Sequence, residues 1–261
     1  MAGKTGVWIF DAKGGLAATV SVGALAIARE LTSTAGLITE RPDIGALGLV
    51  PIGDLVFGGH DIRTSSLYDN AYDIYKETGS ISFEVLHSLE KEIRAIDGDI
   101  RPGLVLNCGT AVEQLADAEF VVSARTLRET VDLLVGDMVD FRERHGLDRI
   151  VAVNLASTEP LLELEPCHED ICALRDTIEE DRRPAMRASL LYAWAAVEAG
   201  CPFINFTPSN AALVPAVEQL AAEKNVPYMG SDGKTGETLV KSALAPMFKY
   251  RNLKVLSWQG Y

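Results

Sequence analysis

The sequence predicts an α/β fold: a doubly wound parallel sheet with helices on both faces. Three observations predict it. The apolar run from Gly6 to Phe10 gives way to the turn Asp11-Ala12-Lys13-Gly14-Gly15, and from Leu16 to Leu31 apolar residues recur with helical density. Further apolar runs at Leu104 to Leu106, Arg149 to Leu155 and Phe203 to Phe206 alternate with helical segments such as Val112 to Leu134 and Met186 to Ala199. Polar residues abruptly end the later runs, which is where ligands sit in an open parallel sheet.

Strand, glycine turn, helix is the context in which the unpaired N–H groups of a helix N-terminus receive a pyrophosphate, and the sheet is therefore Rossmann-like. Lys13, Gly14, Gly15 and Leu16 are the candidate residues for it. The turn departs from the G-x-G-x-x-G pattern, with Asp11 at the first glycine and Ala17 or Ala18 at the last. Asp11 also puts a negative charge where a phosphate comes close. An ATPase phosphate loop is rejected, because Leu16-Ala17-Ala18-Thr19 supplies no lysine after the glycines. The plainer alternative is that the glycines only let helix and strand pack closely. A dinucleotide site also needs a carboxylate at the end of the second strand to accept from the ribose hydroxyls. Glu40, after Gly36-Leu37-Ile38-Thr39, has the better spacing from the glycines; Asp61, at the end of the run from Asp54, is its competitor. His60 beside it reads as a packed side chain without a titrating role.

Asn154, Ser157 and Thr158 end one later run, and Asn205, Thr207 and Ser209 end another. Their amides and hydroxyls suit a nicotinamide carboxamide or a ribose, and equally a helix cap or an Asx turn. Between them, Ser157 to Pro184 is acidic and weakly periodic, a solvated connection with a short helix. The loop Ser231-Asp232-Gly233-Lys234-Thr235-Gly236 then opens a helix that runs to about Phe248 and carries Lys241. Asp232 can cap that helix. Lys234 in its first turn lies at the positive end of the dipole, the wrong end for a cation without an anionic partner. Asn252 to Tyr261 reads as a strand, so the chain ends inside a strand pattern and looks incomplete. The division expected is residues 1–229 as a nucleotide-binding domain and 230–261 as the start of a second, α+β domain.

Hydrophobic residues make up 48% of the 261 and charged residues 23%, enough apolar content for a sizeable core. The net charge of −13 repels phosphate backbones and anionic lipid surfaces, which disfavours nucleic acid and membrane as partners. An anionic small molecule must then be held by a local cluster of lysines and backbone N–H groups. Cys108, Cys167, Cys172 and Cys201 lack the density of a secreted disulfide scaffold, and the expected compartment is the cytoplasm. Cys167-His168 with Cys172 lacks a second ligand pair at zinc spacing, so no metal is expected.

The segments Phe203 to Asn210 and Gly230 to Thr238, in order after the glycine turn Gly15-Leu16-Ala17-Ala18-Thr19-Val20, resemble the myo-inositol-1-phosphate synthase family. The resemblance runs from the glycine turn to the last residue, and it prefers Asp61 over Glu40, as part of a Gly-aromatic-Asp-Ile turn in which His60 replaces the aromatic. It implies NAD as cofactor and glucose 6-phosphate as substrate. It also implies an internal redox cycle: oxidation at C5, enolisation at C6, aldol closure onto C1 and return of the hydride, giving 1D-myo-inositol 3-phosphate. It makes Lys234 a catalytic or substrate-orienting lysine and Asp232 its partner or a cofactor contact, with Lys241 on the same helix face and Ser231 beside the cofactor. Asn154, Ser157, Thr158, Asn205, Thr207 and Ser209 fall in turns like the family's cofactor-contacting ones. The family's enzymes are longer and form tetramers, so a C-terminally truncated member is expected, with further lysines beyond its end and no turnover of its own. An NAD-dependent sugar-phosphate dehydrogenase and an inactive NAD-binding fragment are the alternatives.

Overall fold

In the computed structural model, which describes residues 3–233 and 236–258, six strands form one parallel sheet in the order β3-β2-β1-β4-β5-β6. The strands are β1 (Thr5–Phe10), β2 (Leu55–Asp61), β3 (Ile100–Pro102), β4 (Arg149–Asn154), β5 (Phe203–Asn205) and β6 (Tyr228–Met229). The order reverses direction between β1 and β4, which makes their carboxyl ends the topological switch point of a doubly wound, Rossmann-like sheet.

Both faces are covered, so β1 is apolar almost throughout rather than alternating. On one face Ile9 and Phe57 pack against Ala17, Ala18, Val22 and Ala26 of α1 (Gly15–Ala28). On the same face α3 (Leu67–Thr78) and α4 (Phe83–Asp97) pack beside α1, with α4 in contact with β2, while the short α2 (Pro42–Gly45) lies in an exposed stretch between α1 and β2. On the other face Trp8 and Phe10 pack against α6 (Leu127–His145), α8 (Ala188–Glu198) and α9 (Pro215–Lys224). Short helices α5 (Thr110–Glu113) and α7 (Ile171–Glu179) complete this layer. Helix α8 is buried at every position from Ala188 to Val197, which explains why it carries no polar stripe.

Gly59 shows why glycine stands in β2. A Cβ there would overlap the carbonyl oxygen of Ile9, and the close approach it permits lets the N–H groups of Asp11 and Ala12 both donate to the His60 carbonyl at 3.0 Å.

Three expectations are corrected. Leu104 to Leu106 is not a strand; β3 lies just upstream, because the Leu104 N–H donates to the Tyr192 hydroxyl and the Leu106 carbonyl accepts from Ala188 N, so the run serves α8 instead of the sheet. Val112 to Leu134 is not one helix: Gly103 bridges Val121, and the chain between α5 and α6 is extended around a 3₁₀ turn. The segment from Asn252 carries no strand among the described residues, since no neighbouring strand offers a ladder to it.

The chain divides into Met1–Ser231 and Asp232–Tyr261. Among its described residues the second unit consists of α10 (Gly236–Tyr250), with Pro246 inside it, and an extended tail. Within that unit the Trp258 indole N–H donates to Glu237 at 2.6 Å, and Lys241 pairs with the same carboxylate at 3.1 Å.

Candidate functional site

Helix α1 begins at the switch point with Gly14 as its N-cap, no side-chain cap and no acidic residue in its first turn. Its first backbone bond runs from Ala18 N to Gly14 O, which leaves the N–H groups of Gly15, Leu16 and Ala17 without an acceptor among the described residues. Such an end is a ready anion site. A cavity of about 230 Å³ opens beside it, lined by Gly14, Gly15, Asp11, Asp61, Ser157 and Glu159 among others. The glycine turn, the end of β2 and the turn after β4 therefore meet around one space.

At the end of β2 the Asp61 carboxylate is buried. It accepts from Lys13 N at 2.7 Å, from Arg63 N at 3.0 Å, and from the Arg63 guanidinium through Nε and Nη2, each at 2.9 Å. Four donors meet the four lone-pair positions of a carboxylate, so Asp61 fixes the glycine turn to the end of β2. Arg63 Nη2 reaches on to Asp11 at 2.8 Å. Asp11 occupies the left-handed region at φ 72°, a conformation that favours the glycine it replaces. Burial, then the neighbouring Asp61 charge, pushes the Asp11 carboxyl up to about 7 against the opposing pull of Arg63. Lys13 contributes its backbone to this cluster, while its ammonium donates to the Arg63 carbonyl at 2.9 Å and lies 4.1 Å from the centre of the Phe120 ring. Glu40 sits in an exposed 3₁₀ turn and does not end a strand.

The ends of β4 and β5 are tied by a buried amide network. Asn154 Nδ2 donates to Asn205 Oδ1 at 3.1 Å, and Asn205 Nδ2 donates to the carbonyls of Thr207 and Ser209, each at 3.1 Å. The Thr207 hydroxyl returns a bond to Asn205 Oδ1 at 2.9 Å, and Ser209 Oγ accepts from Glu159 N at 3.0 Å. These four side chains hold the turns together. Ser157 lines the cavity and, like Thr158, is exposed.

Sequence reasoning missed Arg63, Glu159 and Tyr192. Glu159 lies in the stretch read as a solvated connection, yet it is buried and accepts from both N and Oγ of Ser189, capping α8 from outside that helix; burial pushes its carboxyl above the usual range. Tyr192 stacks on Phe10 with ring centres 4.1 Å apart. Only Arg63 carried a usable signal, a cation two residues beyond a strand-ending carboxylate. His60 is packed as expected. Its Nδ1 accepts from the Trp8 indole at 2.9 Å, so the proton lies on Nε2, which donates to Asp137 at 3.1 Å, and burial holds the ring below its ordinary pKa.

Ser231 is exposed at the end of the first unit, and Asp232 and Lys241 are exposed in the second. Lys234 lies outside the described residues. His168 accepts from Glu165 N and donates to the Ala185 carbonyl, both at 2.8 Å, a structural pin beside Cys167. Among the described residues no group of three or more His, Cys, Asp and Glu side chains is placed to hold a metal, and no helix is long and apolar enough to cross a membrane.

Residues 5–253 match the family model described as myo-inositol-1-phosphate synthase, an NAD-binding domain family. The chain is 30% identical to inositol-3-phosphate synthase 1 of Bacteroides thetaiotaomicron over 98% of its own length and 60% of that protein's. It is 32% identical to inositol-3-phosphate synthase isozyme 1 of Arabidopsis thaliana, over 82% of this chain and 40% of that one. A crystal structure of inositol-3-phosphate synthase from Caenorhabditis elegans superposes with a TM-score of 0.77 at 19% identity, covering 97% of this chain and 53% of that one, which shows the shared fold. The chain thus spans about 40–60% of the length of these curated relatives. A family match across nearly all of its residues places this chain in the myo-inositol-1-phosphate synthase family.

Proposed function

We propose that this chain binds NAD at the glycine turn and serves the conversion of glucose 6-phosphate to 1D-myo-inositol 3-phosphate, as a homo-oligomer in the cytoplasm. The observation that carries the reading is the uncapped N-terminus of α1, opening onto a cavity at the switch point of the sheet. The residues present suit a dinucleotide: the N–H groups of Gly15, Leu16 and Ala17 have no acceptor among the described residues, and Gly15, where a Cβ would meet nothing nearer than Ile74 Cδ1 at 4.0 Å, keeps the backbone open there. When bound, NAD supplies a reversible hydride acceptor.

The chain's own residues bind and orient. Gly15, Leu16 and Ala17 receive the diphosphate on their N–H groups, and Asp61 keeps the turn in register through Lys13 N. Ser157 and Thr158, exposed at the end of β4, offer hydroxyls to the nicotinamide half, while Asn154, Asn205, Thr207 and Ser209 hold that turn rigid. Lys234 is proposed as the ammonium that stabilises the alkoxide and enolate oxygens of the sugar phosphate, with Asp232 as its partner and Lys241 as a further cation. Ser231 adds a hydroxyl at the start of that loop.

Asp11 and Asp61 share one guanidinium, so the pocket has no spare positive charge for a ribose 2′-phosphate. NAD⁺ is therefore the preferred form. Calorimetric titration with NAD⁺ and NADP⁺ tests this: tighter NAD⁺ binding supports the reading, equal or tighter NADP⁺ binding removes the specificity argument, and binding of neither removes the nucleotide site. Product formation from glucose 6-phosphate, compared with the Lys234→Ala variant, tests the catalytic assignment; an undiminished rate in the variant moves that role elsewhere.

A further inference from the structure

Asp11 does something that a glycine in its place would not. Its backbone holds φ at 72°, its Oδ1 is 2.8 Å from Arg63, and its other oxygen lies so close over Gly14 that a Cβ on that residue would overlap it. The carboxylate is thereby held at the mouth of α1, lining the cavity into which the helix N-terminus opens. It is the chain's own anion at the anion site.

The groups around it leave that charge only partly balanced. From the end of β2 it faces Arg63, which is shared with the buried Asp61. From its own turn comes Lys13, whose ammonium is turned to the Arg63 carbonyl and Phe120. Across the cavity stand His60, already committed to Trp8 and Asp137; Glu159, committed to Ser189; and Cys108 and Tyr192. One guanidinium therefore serves two carboxylates. A diphosphate on the N–H groups of Gly15, Leu16 and Ala17 would add two further negative charges on the side of the turn where the Asp11 carboxylate lies over Gly14.

We propose that Asp11 is a proton-operated gate on the cofactor site: a dinucleotide seats on the N-terminus of α1 only when the Asp11 carboxyl is neutral, so binding takes up a proton. The inference rests on the nucleotide reading above. Protonation removes the repulsion, and the arriving diphosphate raises the proton affinity of Asp11 further, which is the reciprocal face of the same coupling. In the free protein this carboxyl is pushed up to about 7, so the gate operates around neutral pH. Arg63 stays committed to the buried Asp61 through Nε and Nη2 when Asp11 is neutral.

The test is NAD⁺ titration of the full chain by calorimetry from about pH 5.5 to about pH 8.5, in buffers of differing ionisation enthalpy, beside Asp11→Asn. The wild-type affinity is expected to be level below about pH 6 and to fall towards tenfold per pH unit above about pH 7.5, with uptake approaching one proton per cofactor there. Asp11→Asn keeps the shape, removes the charge and tolerates the positive φ. It is expected to bind at every pH with the affinity that the wild type shows in acid. Binding by the wild type without pH dependence or proton uptake overturns the gate and leaves the nucleotide site standing. A pH dependence that persists in Asp11→Asn also overturns it, passing the effect to another group such as Glu159. Absence of binding by both proteins at every pH overturns the nucleotide site and the gate together.

Discussion

Asp11, Asp61 and Arg63 form an unbalanced triad, and its energetics follow from burial. In the unfolded chain Asp11 loses its proton near the ordinary value of 3.8, whereas in the fold it keeps it up to about 7. Between those values the native state holds more protons, so this group's contribution to stability falls as pH rises and levels off above about 7. His60 acts in the opposite sense. Its folded pKa lies below the ordinary 6.5, so the unfolded state takes up the proton first and stability falls as pH drops below that value. Thermal melts over a pH series separate the two: the melting-temperature advantage of Asp11→Asn over the wild type should grow from about pH 4 to about pH 7 and then stay constant. An advantage that does not vary with pH would place the Asp11 proton elsewhere. Removing Arg63 has a different consequence, because Asp61 has no side-chain exposure and would lose its counter-ion. Arg63→Ala should destabilise by about 3 kcal/mol, the low end for breaking a buried pair since the guanidinium is partly solvated. Chemical denaturation measures it, and a loss below about 1 kcal/mol would mean that Asp61 is held by its backbone donors alone.

At the scale of elements, β1, the glycine turn and β2 form the unit on which the site depends, and two glycines distinguish its requirements. Gly59→Ala would drive a methyl into the Ile9 carbonyl and should cost about 3 kcal/mol or prevent folding. Gly23 lies within α1 with open space around it, so Gly23→Ala should stabilise by about 0.5–1 kcal/mol. Denaturation midpoints of the two variants check the pair; equal effects would mean that β1 and β2 are not in the close contact described. Elements with local signals were legible: the glycine turn between β1 and α1, the run that became β4, and the apolar density of α8. Leu104 to Leu106 was misread because its composition is that of a strand, while its backbone partners, Tyr192 and Ala188, lie more than 80 residues away. The tail from Asn252 was misread for the converse reason, since strand-like residues need a partner strand that no local pattern reveals. Glu159 looked solvated because its charge was visible in the sequence and its partner Ser189 was not.

At the scale of the whole molecule, the strand order 3-2-1-4-5-6 brings segments from residues 11, 61 and 157 to one cavity, although they are separated by up to most of the sheet-forming chain. That convergence follows from topology, and the alternation of runs and helices in the sequence already implied it. The central claim is that this convergence makes a dinucleotide site whose anchor is the free N-terminus of α1. Gly15→Glu tests it most directly. A Cβ at Gly15 meets nothing nearer than Ile74 Cδ1 at 4.0 Å, and an acid in the first turn of a helix favours its dipole, so at about pH 6, where Asp11 is neutral, the fold should keep or raise its melting temperature. The same negative charge would occupy the place of the diphosphate. The decisive measurement is calorimetric titration of NAD⁺ into the wild type and into Gly15→Glu: saturable binding by the wild type, abolished in a variant that melts no lower, is the result expected, and equal binding by both, or none by the wild type, would contradict the account.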